Sequence, residues 1–282
     1  MLHDQDISER KKAVREFWDG VPCGTLRVSG SEKTTEFYEE IEHQRYEMEP
    51  FIFEHAQFDR WKGKKVLEVG CGTGTDLLQF LRSGSDACGI DLSSRSVALA
   101  RKRLSLFGFD GGRVFVADAE NLPFARNSFD LLYSWGVLHH TPDTVKALDE
   151  ICRVLRPDGE IRIMLYHRRS LVALRSYLRF GVLRGRPFRS LDDIMAIHQE
   201  SPGTKVYTRE QVRGLFRQFQ NLQIRTILTP YDLDLGDARL SLFWLRKFVP
   251  NALGFFLVIQ GHKPDLNEPD AMECSGHPSC EC

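Results

Sequence analysis

The segment Val66-Leu67-Glu68-Val69-Gly70-Cys71-Gly72-Thr73-Gly74 runs an apolar strand into three glycines at alternate positions. Glycine is required where main chain turns at positive φ, or where a ligand must approach backbone with no Cβ in the way. Such a turn delivers its ligand to a helix N-terminus at the carboxyl edge of a parallel sheet. A dinucleotide fingerprint, G-x-G-x-x-G, needs its third small residue at position 75, where Thr75 stands; the spacing here is G-x-G-x-G. Glu68, two positions before Gly70, would repel a pyrophosphate but suits an ammonium group. Asp91 follows the next apolar strand at the range where a carboxylate takes ribose hydroxyls. Asp118-Ala119 follows a third strand, where the acid could accept from an exocyclic adenine amine. Asp91 as a helix N-cap and Asp118 as a turn former are the plainer alternatives. Cys71 reads as a small packing residue rather than a nucleophile. The combination specifies a nucleoside with a cationic amino-acid end and no phosphates.

The elements that must hold these residues follow from periodicity. Strands are expected at Val66–Val69, Ala87–Ile90, Val114–Ala117, Phe129–Ser134 and Glu160–Tyr166, with helices at Asp76–Leu81, Ser94–Phe107 and Val145–Val154 between them. Strands and helices alternating in this way imply a parallel sheet with right-handed crossovers, covered on both faces. After an interruption the pattern resumes with Thr208 capping a helix through Phe216 and strands at Leu222–Leu228 and Gly254–Gln260. The expected fold is α/β: Rossmann-like and doubly wound, a mostly parallel sheet with an antiparallel last strand, an N-terminal helical cap and an insertion after strand five. The expected divisions are a cap over 1–60, a core over 61–166, an Arg-rich insertion or lid over 167–205, the rest of the core over 206–263 and a Cys-containing tail over 264–282.

On these residues the chain resembles the class I S-adenosylmethionine-dependent methyltransferases, in the type 11 branch related to the ubiquinone and menaquinone C-methyltransferases. The glycine turn, Gly89-Ile90-Asp91-Leu92-Ser93 and Asp118-Ala119-Glu120-Asn121-Leu122-Pro123-Phe124 carry the resemblance. So do Ser128-Phe129-Asp130 leading to Gly136-Val137-Leu138-His139-His140, and Leu155-Arg156-Pro157-Asp158-Gly159, where the family usually has a second glycine in place of Asp158. The resemblance implies S-adenosyl-L-methionine as cofactor. It places the methionine end on Glu68 and Gly70, the ribose on Asp91, adenine on Leu92, its amino edge at Asp118 and Ala119, and the methyl group near Ser134 or Trp135. Gly72, Gly74 and Cys71 complete the loop. An acceptor hydroxyl or amine would need a base; His139 and His140 follow strand four, with His139 slightly favoured. An activated carbon or thiolate would need none.

Acceptor specificity falls to the cap and the insertion. Trp18, Tyr38, Arg45 and Tyr46 could close over the cofactor or pack on the core. On a helical projection of 168–186, Leu171, Leu174, Leu178 and Val182 form one face flanked by Arg168, Arg175, Arg179 and Arg186. That pattern fits a lid helix with its leucines toward the site, or peripheral contact with an anionic membrane. The stretch Leu240–Phe248, with Trp244, is apolar as well. With 42% hydrophobic and 27% charged residues and a formal net charge of −1, the chain is globular and not a broadly basic nucleic-acid binder. The turn Ser134-Trp135-Gly136-Val137 also lacks the Asn/Asp-Pro-Pro-aromatic signature of enzymes that methylate base amino groups, so no nucleic-acid partner is expected. Seven scattered cysteines and a charged N-terminus fit a cytoplasmic protein. Cys274, His277, Cys280 and Cys282 match no standard zinc spacing, and no metal is expected. The reading is methyl transfer to a small-molecule acceptor. The alternatives are a lipid or glycan precursor at the membrane, or a non-catalytic cofactor-binding partner protein. Oligomeric state is left open.

Overall fold

A computed structural model describes residues 2–26, 28–234 and 246–265. The N-terminal segment forms three helices, α1 (Leu2–Gly20), α2 (Thr35–Met48) and α3 (Ile52–Ala56). Then come β1 (Lys65–Val69), α4 (Thr75–Arg82), β2 (Asp86–Asp91), α5 (Ser94–Leu106), β3 (Val114–Val116), β4 (Phe129–Trp135), α6 (Thr144–Val154) and β5 (Leu155–Tyr166). The remainder holds α7 (Leu171–Phe180), α8 (Leu191–His198), α9 (Arg209–Leu215), β6 (Gln220–Ile227) and β7 (Phe256–His262). The sheet order is β3-β2-β1-β4-β5-β7-β6, parallel from β3 to β5, with β7 antiparallel to both β5 and β6. The expected doubly wound sheet is present. Alternate strand residues feed two cores: Val66, Leu131 and Tyr133 join one face, and Leu67, Val69 and Leu132 the other.

Helix starts follow side chains that can satisfy orphan backbone donors. Ser93, Asp143, Ser170 and Ser190 accept from Ser96, Lys146, Ala173 and Asp193 N–H respectively. Thr208 begins α9 as expected, in a capping box with Gln211. Strand β5 starts at Leu155 rather than Glu160, because the Arg156-Pro157-Asp158-Gly159 turn is absorbed into it. Asp158 there has φ +57°, the left-handed conformation that accounts for a glycine being usual at this point and that aspartate tolerates better than most residues.

Two expectations need correction. The chain from 168 to 186 is not one helix: α7 ends at Phe180 with Gly181 as its cap, a short turn follows, and α8 begins at Leu191. Its leucines do not face the site. Val172 and Ala173 are buried, whereas Leu174, Leu178 and Val182 are exposed, since α7 meets the body along the neighbouring strip. Residues 266–282 with the Cys/His cluster, and 240–245 with Trp244, lie outside the described residues.

The cap is fastened to the core by buried polar groups. Asp76, in the first turn of α4 and 1% exposed, accepts Arg45 Nε at 2.9 Å and Nη2 at 2.6 Å, Tyr46 OH at 2.9 Å and Tyr133 OH at 2.9 Å. Fully buried Arg103 of α5 donates to the Tyr38 carbonyl and Thr75 Oγ1, and its guanidinium lies 5.4 Å from the Tyr38 ring centroid. Near α3, Arg162 donates to the His55 carbonyl, while burial, reinforced by Arg162 and Arg225, holds the His55 imidazole down at about 3.

Removing one partner of a buried ion pair strands the other, at about 3–5 kcal/mol. Asp76→Ala should therefore lower stability by that amount in urea unfolding, and an effect near zero would mean that the cap docks without Asp76. For His55, the unfolded imidazole takes a proton near 6.5 and the folded one only near 3. Its contribution is complete above 6.5 and is lost as pH falls toward 3. From the unfolded value down to pH about 5 this amounts to about 2 kcal/mol. Thermal melts of His55→Gln should accordingly show a shallower acid-side decline than wild type.

Candidate active site

At the carboxyl edge of β1, β2 and β4 lies a cavity of about 360 Å³, within the range of small-molecule sites. The glycine turn forms its floor. Gly70 has φ +77°, and a Cβ there would stand 2.1 Å from Val137 Cγ2. Only glycine lets the chain after β1 pass under the chain after β4. The Asp91 carboxylate organises the rim, accepting Gly72 N–H and Ser93 N–H at 2.9 Å each. Leu92, Ala117, Asp118 and Ala119 continue the wall, and Trp135, Gly136, Val137 and His140 close it beyond β4.

The electrostatics are those of crowded acids. Burial, then the neighbouring Asp76, pushes the Glu68 carboxyl well above its ordinary range, and its Oε2 is buried with no hydrogen-bond partner among the described residues. Burial also raises Asp91, against the opposing effect of its backbone donors. The one cap guanidinium on this wall, Arg45, is committed to Asp76. A free carboxylate oxygen beside a glycine turn fits an ammonium group, and the ring of acids disfavours phosphate. The residues present fit S-adenosylmethionine on this ground.

Of the residues expected from sequence, Glu68, Gly70, Cys71, Gly72, Asp91, Leu92, Asp118, Ala119, Trp135, His140, Trp18 and Arg45 line the cavity. Five do not. Gly74 begins α4 and packs on Ala100, where a Cβ would come within 3.1 Å. Ser134 turns inward and donates to the Val69 carbonyl at 3.0 Å. Tyr38 sits under Arg103, and Tyr46 is spent on Asp76. His139 is fully buried behind His140, its ring 3.8 Å from that of Tyr166. Neither His139 nitrogen has a partner among the described residues, and burial, with His140 and Lys205, pushes it well below its ordinary value. Asp118 is shared: Oδ2 accepts Lys11 Nζ at 2.7 Å and Oδ1 accepts Glu120 N–H at 2.9 Å.

Sequence reasoning missed several residues on and behind the wall. Glu49, 8% exposed, accepts Trp135 Nε1–H at 2.7 Å and Tyr231 OH at 3.1 Å, and burial raises its carboxyl. In sequence it is one of a run of cap glutamates with nothing to single it out. Asp76 reads as an ordinary acid in a first helical turn. Glu200 comes from the end of the insertion: its Oε2 lies 3.2 Å from His140 Nε2 and accepts Tyr166 OH at 2.8 Å. His140 Nδ1 is 2.8 Å from Ser201 Oγ and 3.0 Å from Thr204 Oγ1, and the Trp18 ring stands edge-on at 5.5 Å. The ligand atoms of His139, His140 and Glu200 all fall within 4.8 Å of one another, a grouping no spacing in the sequence announced.

Residues 67–163 match a family model described as a methyltransferase domain. Methyltransferase GfsG of Streptomyces halstedii is 35% identical over 111 residues, 39% of this chain and 40% of the relative. The match thus spans about two fifths of that relative's length. Demethylmenaquinone methyltransferase of Renibacterium salmoninarum is 26% identical over 181 residues, 60% of this chain and 72% of the relative. Among solved structures, geranyl diphosphate C-methyltransferase from Streptomyces coelicolor A3(2) superposes with a TM-score of 0.60 at 14% identity, over 90% of this chain and 98% of that one; at such identity the likeness speaks for the fold. These matches mark residues 67–163, which hold the glycine turn and Asp91, as similar to a methyltransferase domain.

Proposed function

We propose that the protein methylates a small, largely apolar acceptor bearing a hydroxyl or amine, and that His140 removes its proton. The observation that carries this reading is a single continuous cavity. It is lined both by the glycine turn with Glu68 and Asp91 and by Trp18, Leu26, Ile41, Met48, Val137 and Pro142, with His140 and Glu49 among its polar groups. Bound there, the cofactor supplies a methyl group made electrophilic by its sulfonium.

The residues of this chain do the rest. The free Glu68 Oε2 receives the ammonium, and the remaining lone pairs of Asp91 take ribose hydroxyls. Leu92 and Ala119 bracket the adenine. The apolar wall orients the acceptor and keeps water away, and alignment of this kind can supply roughly 7–11 kcal/mol of a barrier. His140 receives the acceptor's proton at Nε2, which is buried without a hydrogen-bond partner among the described residues, so the side chain must turn to present it to the acceptor. Ser201 and Thr204 hold its other nitrogen, and Glu200, itself held by Tyr166, faces the charge that develops. His139 has no route to the acceptor and stays neutral, so the two adjacent histidines have separate tasks: one packs, the other faces the cavity.

Asp91→Ala should weaken adenosylhomocysteine binding by about 1–3 kcal/mol through lost charge-assisted hydrogen bonds. Unchanged affinity by calorimetry would place the ribose elsewhere. Incubation with labelled cofactor and a metabolite extract, followed by mass spectrometry, should reveal an acceptor that gains one methyl group. On that acceptor His140→Ala should cut turnover by about 10²–10⁴-fold with cofactor affinity kept. Glu200→Gln should slow turnover less. Full rates in His140→Ala would remove the base from this loop.

A further inference from the structure

The turn between α7 and α8 is ordered without burying its own apolar side chains. Gly185 and Arg186 N–H donate to the Val182 and Gly181 carbonyls at 3.0 and 2.9 Å, Arg189 N–H to the Arg186 carbonyl at 3.1 Å, and Tyr177 OH to the Pro187 carbonyl at 2.5 Å. The loop so fixed presents Leu183 and Phe188 outward, 80% and 100% exposed, beside Leu174, Leu178 and Val182 at 54%, 45% and 42%. Thirteen large hydrophobic residues are exposed among those described, and five of them fall in these fifteen positions. Scattered apolar exposure is ordinary; five such residues gathered on one hydrogen-bonded turn and the helix before it are not.

The charged side chains of 161–191 have one sign, and the acids Asp192 and Asp193 begin only with α8. No Asp or Glu occurs between Glu160 and Asp192. Arg168 is paired with Asp192, and Arg175 donates to the Tyr231 and Asp234 carbonyls. Among the described residues Arg179, Arg184, Arg186 and Arg189 make no ion pair, and Arg179 and Arg184 lie over the Phe180 ring at 5.3 and 5.1 Å. Two apolar side chains at the point of a turn, collared by unpaired guanidiniums, match a surface that is anionic outside and apolar beneath. A second copy of the chain is a poor fit, since a two-fold contact would set arginines against arginines. A nucleic acid would leave Leu183 and Phe188 without a role.

We infer that residues 182–189 form a docking tip for an anionic lipid surface, with Leu183 and Phe188 entering the acyl boundary and Arg184, Arg186 and Arg189 meeting headgroup phosphates. No described helix is long and apolar enough to cross a membrane, so the contact is peripheral. The docked segment is joined to the cavity wall, because Arg175 of α7 holds the carbonyl of the cavity-lining Tyr231. The inference rests on this surface alone and does not require methyl transfer.

Co-sedimentation of the full chain tests it. Binding is expected to vesicles of phosphatidylcholine and phosphatidylglycerol in equal amounts, to fall with added salt, and to be lost with phosphatidylcholine alone. Each of Arg184→Gln and Arg186→Gln should reduce the partition coefficient about fivefold. The double change Leu183→Ser with Phe188→Ser should abolish binding, while circular dichroism and adenosylhomocysteine affinity stay as in wild type. Three results would overturn the proposal: wild type left in the supernatant with both vesicles, the Leu183/Phe188 variant pelleting as wild type does, or tip substitutions dissociating a lipid-free dimer in sedimentation velocity without changing vesicle binding. Equal affinity for duplex DNA, retained by the Leu183/Phe188 variant, would instead assign the arginines to nucleic acid.

Discussion

One buried carboxylate joins the two halves of this protein. Asp76 takes two guanidinium donors and two phenol hydroxyls, from α2 and from β4, at the point where α4 leaves the glycine turn. A charge at that depth is tolerable only with such a set of donors, and the donors are fixed in turn by having nowhere else to go. The consequence is geometric. Helix α2 cannot settle elsewhere without stranding Arg45, so Ile41, Gln44 and Met48 are held along the cavity wall. The chain just beyond α2 sets Glu49 against Trp135.

The same crowding of acids determines what the cavity accepts. Glu68, Asp76, Asp91 and Glu49 share one low-dielectric space whose local guanidinium is already used. Their burial raises Glu68, Asp91 and Glu49 together, so a ligand bringing positive charge and hydroxyl donors relieves a cost that the empty fold carries. A phosphate would add to it. Repulsion built around the glycines thus weighs against a phosphate-bearing ligand at this turn.

The insertion after β5 serves both ends of the molecule. Its final residues, Glu200, Ser201 and Thr204, surround His140 and give that imidazole partners on both nitrogens' sides. Its α7–α8 turn faces outward with its apolar residues unburied. The segment buries Val172, Ala173, Ile194 and Met195 and leaves Leu174, Leu178, Leu183 and Phe188 exposed.

The cofactor half of the site was legible because its determinants are local. A strand, a three-glycine turn and an acid at the end of the next strand lie within 26 residues of one another, Val66 to Asp91, and each announces itself by residue type and period. The sheet was legible for the same reason. Partnership was not. Arg45 meets Asp76 across 31 residues, His140 meets Thr204 across 64 and Glu49 meets Tyr231 across 182. No periodicity encodes which member of His139-His140 turns toward the cavity; that follows from Tyr166 occupying the space beside the first ring. Nor does a helical projection say which stripe of α7 is covered, because its leucines and the Val172-Ala173 pair are both apolar, and only the shape of the body they meet chooses between them. Sequence set the elements and the chemistry available at their ends; packing across long separations decided which side chains that chemistry could use.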